Sequence, residues 1–162
     1  MDRESANANG APNRLLAHGY GAIMLLLTLT GFGQMPIFKR YYIADIPGLG
    51  WLAMFYVTHY LHYLGAILLL AVLAYIIVQY LMADRRRITI TTTGYLRAGM
   101  LGGILVTGCL MVIRNLDGIW LAPGFIIFLD LAHLGLVMIF LATTAYCLAV
   151  NTRWTRPPSK DK

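Results

Sequence analysis

The chain has 162 residues, 59% hydrophobic and only 12% charged, with a mean hydropathy of +0.66. That composition excludes an ordinary soluble domain and assigns a single-domain integral membrane protein. The net charge of +6 marks orientation and attraction to anionic lipid, and with no basic-aromatic motif in the chain it is no sign of nucleic-acid binding.

The first thirteen residues, MDRESANANGAPN, are polar and read as a flexible tail. No small-residue cleavage site is placed as a signal peptide needs, so the apolar run that follows is read as a retained helix. Such runs extend over Leu15 to Phe38, Trp51 to Met82, Tyr95 to Ile113 and Leu121 to Val150. Each is long enough to cross a bilayer core of about 30 Å at about 1.5 Å per residue. The predicted fold is an all-α membrane protein, a four-transmembrane-helix bundle over residues 14–152, with a basic tail at 153–162. Of the 13 Lys and Arg residues, only Lys39, Arg40 and Arg114 fall on one side of these spans. The remainder precede span one, surround the middle loop or follow span four, which places both termini in the cytoplasm.

In span one, Arg14 anchors the cytoplasmic end, His18 lies one turn inside, and Gly19 and Gly21 clear space for a flat ligand. The plainer reading is a snorkelling arginine beside an interfacial histidine. The outer loop FKRYYIADIPGLGW suits the membrane-water interface and could form a docking surface. Span two outruns the bilayer, so it is expected to tilt or project before Asp84 and offer a partner contact. It carries His59 and His62, three apart and within about 60° on a helix; Gly65 and Ala66 follow and leave room beside them. The loop ITITTT is expected to be a connector rather than a strand.

Span three contains Gly99 and Gly103, a GxxxG pair that permits close helix packing. Span four opens with Pro123 near its first turn, a helix-start signal, and contains Asp130 and His133. Asp130 is expected to bond a ring or a propionate, or else to face an internal water cavity. Cys109 and Cys147 both fall inside spans, where no disulfide framework or zinc spacing is present.

Counted from the outer surface, His62 and His133 each lie roughly 15 Å deep and His59 nearer 10 Å. Two level imidazoles on different helices can share one metal, and without a zinc-type ligand set the natural occupant is haem, a greasy macrocycle that needs axial nitrogens. His59 stays open as the alternative to His62, as a quinone partner, or as an interfacial residue. Cys147 lies fourteen residues, about four turns, beyond His133 and on the same helix face.

Arg14-x-x-x-His18 and the run ending Leu29-Thr30-Gly31-Phe32 resemble the first helix of the cytochrome b gamma subunits of formate dehydrogenases and of related thiosulfate reductases and hydrogenases. The match extends over most of the chain. The resemblance implies an inner-membrane, prokaryotic subunit holding b haems. An outer haem would lie between His62, or His59, and His133, and His18 would be the first ligand of an inner one. The second inner ligand does not carry over, because Tyr146-Cys147 stands where that histidine belongs. Loss of the inner haem is expected, with His18 and Arg14 near a quinone; retention of the inner haem by His18 with Cys147 is the alternative. The implied partners are an iron-sulfur subunit, a catalytic subunit, lipid, and menaquinone or ubiquinone. Gly65 and Asp130 are the expected neighbours of haem or quinone. Two rival readings are a haem-free scaffold subunit and a stand-alone cytochrome b that oxidises quinol.

Overall fold

The computed structural model describes residues 14–84 and 88–156. The expected flexible tail, Arg85 to Arg87, and Lys160 and Lys162 of the basic tail lie outside the described residues. The chain is mostly helical and divides after Met82 into two compact units. Four helices, Arg14–Gly33, Phe55–Ala83, Thr92–Ile113 and Pro123–Ala149, are long and apolar enough to cross a membrane.

The first unit is an antiparallel pair of α1 (Arg14–Gly33) and α3 (Phe55–Gln79). Between them lie the short α2 (Ile37–Arg40) and two 3-10 turns, Ile43–Asp45 and Gly50–Ala53. Helix α1 stops at Gly33, three residues before Pro36, and this glycine is needed for a close approach. A Cβ there would sit 3.0 Å from the Leu52 carbonyl oxygen and 3.2 Å from Thr58 Cγ2. Residues Trp51 to Ala53 therefore form a turn against the end of α1 instead of the first turn of the span. At the far end α3 passes into a π turn over Tyr80–Asp84.

The second unit pairs α4 (Thr92–Ile113) with α5 (Pro123–Ala149), again antiparallel. Thr91 caps α4 by accepting the Gly94 N–H at 3.0 Å, and Pro123 occupies the first turn of α5, where a missing N–H costs nothing. The expectation that ITITTT is only a connector is corrected here. Thr89–Ile90 (β1) pairs antiparallel with Thr155–Arg156 (β2). The Thr91 hydroxyl lies 2.8 Å from the Arg153 carbonyl and 3.1 Å from that of Trp154. The Arg97 guanidinium, buried, sits 4.3 Å from the centre of the Trp154 ring and donates Nε–H to the Thr93 carbonyl. The chain after α5 is thus clasped to the start of α4. Of the GxxxG pair, Gly103 faces Leu136 of α5, whose Cδ1 would lie 3.2 Å from a Cβ built there, whereas nothing lies within 4 Å of a Cβ at Gly99.

Candidate functional site

Each hairpin carries one histidine that bonds a threonine of the facing helix, and the two arrangements repeat each other. In the first, Thr30 Oγ1 of α1 lies 3.0 Å from His62 Nδ1 of α3. In the second, Thr107 Oγ1 of α4 lies 2.9 Å from His133 Nδ1 of α5. A glycine follows each threonine and lets the ring edge approach the helix. A Cβ at Gly31 would stand 3.3 Å from His62 Cε1, and one at Gly108 would stand 3.4 Å from His133 Cε1. The signal for this pair was present in the sequence as a dipeptide, Thr-Gly, recurring in the first and third apolar runs.

The correspondence continues one turn to either side. Three residues beyond His62, Gly65 receives Leu27 of α1, whose Cδ2 lies 3.0 Å from a Cβ built at that glycine. Three residues beyond His133 the roles exchange, and Leu136 enters the space left by Gly103. The room expected beside Gly65 is filled by leucines of α1, and the glycines against the imidazoles are Gly31 and Gly108. Three residues before His62, His59 Nδ1 meets Gln34 Oε1 at 3.1 Å. Three before His133, Asp130 pairs with Arg114 at 2.7 Å. Asp130 is therefore held by a cation on the end of α4, a partner that the sequence reading did not assign to it.

His59 and His62 are separated by these partners. The His59 ring stacks on Phe55 at 5.2 Å and tilts against Tyr63 at 4.4 Å. It belongs to an aromatic layer at the start of α3, while His62 lies one turn deeper against Thr30 and Gly31. Because α3 begins at Phe55, His62 stands seven residues into its helix and His133 ten into α5, about 10 and 15 Å of rise.

Arg14 and His18 are exposed on the first two turns of α1. Neighbouring Gly19 lines a shallow apolar groove with Leu15, Leu16, Val72 and Tyr75. Cys147 is buried, and its carbonyl accepts the Thr152 N–H at 2.8 Å, which closes the end of α5. Among the described residues no group of three or more His, Cys, Asp or Glu side chains is placed to hold a metal ion. Protein-family models, curated proteins and solved structures were all compared with the chain, and none matches it.

Proposed function

We propose that this chain is a haem b-carrying membrane anchor subunit that passes electrons between an iron-sulfur partner and the quinone pool of a prokaryotic inner membrane. The observation that carries the reading is the repeated Thr-Gly/His arrangement: two imidazoles on separate helices, each fixed through Nδ1 and each against a glycine. Anchoring of one ring nitrogen by an outer partner while the other serves as ligand is the usual construction of a histidine metal site. Nε2 is the nitrogen turned away from the anchoring hydroxyl in both cases. His62 and His133 would hold a haem through their imidazoles, and the bound group would supply one-electron exchange at a potential tuned by ligands and burial.

His62 and His133 are the residues proposed to hold the haem. His62 is chosen over His59 because it shares its threonine and glycine environment with His133, whereas the positional counterpart of His59 is Asp130. Arg114, by holding Asp130, keeps that carboxylate near the first turns of α5 without leaving it as an unpaired charge. His18, exposed near the start of α1, is proposed to exchange protons with quinone, a role suited to an imidazole in reach of water. In this reading the inner haem is lost and both termini are cytoplasmic.

Pyridine haemochrome assay and redox titration of the purified protein test the proposal. One b haem per chain and a single potential step are expected; a preparation without reducible b-type Soret and α bands refutes it. A second reading, a haem-free scaffold, is favoured by one observation: both Nδ1 atoms find partners inside their own hairpins, as interhelical packing bonds would. The same assay separates the two.

A further inference from the structure

We infer that Thr30 and Thr107 are positioning residues that hold His62 and His133 in the Nδ1–H tautomer, so that the lone pair is kept on Nε2. A threonine hydroxyl has one proton to give and lone pairs to accept with. Thr30 Oγ1 lies 2.7 Å from the Leu26 carbonyl, one turn back along its own helix. Thr107 Oγ1 lies 2.9 Å from the Gly103 carbonyl and 3.0 Å from that of Ile104. A carbonyl oxygen can only accept, and a threonine inside a helix characteristically donates to the carbonyl one turn back, so each hydroxyl proton is assigned to the backbone. What each threonine still offers its histidine is a lone pair. The nitrogen facing it, at 3.0 and 2.9 Å, is therefore assigned the hydrogen.

This tautomer is the opposite of the one histidine prefers in water, so it has to be imposed by the fold. Which ring nitrogen holds the proton is set by the bond made by the other. A hydroxyl that is already donating is a better acceptor than an isolated one, because linked hydrogen bonds polarise one another. It is nevertheless neutral. A carboxylate in the same place would draw the ring towards imidazolate and make it a stronger electron donor; threonine fixes the tautomer and leaves the imidazole neutral. Three elements are needed at each site, a carbonyl one turn back, the hydroxyl, and a glycine that lets the ring edge come close. Both hairpins supply all three. The tautomer assignment stands independently of any cofactor, while its consequence for ligation rests on the haem reading above.

The test uses full-length protein labelled with ¹⁵N-histidine, made in a haem-deficient host, and compares it with Thr30→Val, Thr107→Val, Thr30→Ser and Thr107→Ser. In the parent protein, the nitrogen shifts of His62 and His133 are expected to report Nδ1–H and an unprotonated Nε2. Each valine variant should shift the tautomer ratio of its own histidine by about tenfold, the equivalent of one lost hydrogen bond of about 1.4 kcal/mol, and leave the other ring unchanged. Each serine variant should keep the parent pattern. An Nε2–H parent ring, a valine variant that retains Nδ1–H, or a single variant that disturbs both rings alike overturns the assignment. In haem-loaded protein, removing the acceptor weakens the ring as an electron donor, so the valine variants should raise the midpoint potential and the serine variants restore it. An unchanged potential overturns the ligand consequence. Absence of b haem together with the expected nitrogen shifts removes the haem reading and leaves the tautomer lock intact.

Discussion

Gly31→Ala separates the stability of the first hairpin from the placement of its histidine. The added Cβ would stand 3.3 Å from His62 Cε1, against about 3.7 Å for relaxed carbon contact, so the ring must move by about 0.4 Å. The shift stretches the Thr30–His62 bond from 3.0 Å towards the limit of useful geometry and forfeits much of a contribution of about 1 kcal/mol. Against that, alanine is more favourable than glycine in a helix interior by about 0.8–1.0 kcal/mol. The two effects nearly cancel, so thermal unfolding followed by circular dichroism should change little. Haem retention should not be spared. In the proposed haem site the Nε2 atom of His62 would move with the ring, and loss of an outer-shell partner costs about tenfold or more in affinity. Gly21→Ala, on the same helix with nothing within 4 Å of its Cβ, gains the same propensity and should retain haem fully. Soret absorbance during haem dissociation measures both. Equal retention in the two variants would refute the reasoning.

His62→Ala and His133→Ala should each abolish haem binding in the absorption spectrum while His59→Ala preserves it; loss with His59→Ala alone would transfer the ligand to the aromatic layer. Gly94→Ala drives a Cβ into the Trp154 carbonyl and to 2.9 Å from Ile90 Cγ2. It should release the β1–β2 clasp, at a cost of about 2–3 kcal/mol from one cap, two hydrogen bonds and a cation–π contact less the alanine gain, read as faster proteolysis after Arg153. Asp130→Asn breaks the pair with Arg114. With those side chains 22% and 45% exposed, the stability loss in a melt should stay below about 1 kcal/mol. Cys109, exposed, should react with a membrane-permeant maleimide well before buried Cys147, by mass spectrometry.

The four spans were legible because a helix that must satisfy its own backbone in lipid announces itself as a long apolar run. Their ends were less so. The run from Trp51 blends into α3 although its first residues turn against Gly33, and apolar composition cannot distinguish a turn from a helix there. The sequence marks Thr30 only as part of the run Leu29-Thr30-Gly31-Phe32 and does not mark Thr107, because a threonine in an apolar run looks like a β-branched filler. Only the facing helix reveals its hydroxyl as a partner for histidine. The choice of Gly65 as the glycine beside the ring followed chain proximity, whereas the structure uses a glycine from the opposite helix. The clasp of Thr89–Ile90 on Thr155–Arg156 joins segments more than sixty residues apart, a separation at which local pattern carries no information.

That each imidazole is oriented by a residue of its own hairpin has a bearing on biogenesis. A nascent chain whose first two long helices have paired already holds His62 against Thr30, and the next two hold His133 against Thr107 without waiting for the earlier pair. Each ring is thus set by contacts that form when its own pair of helices packs, and neither depends on a later event to acquire its orientation.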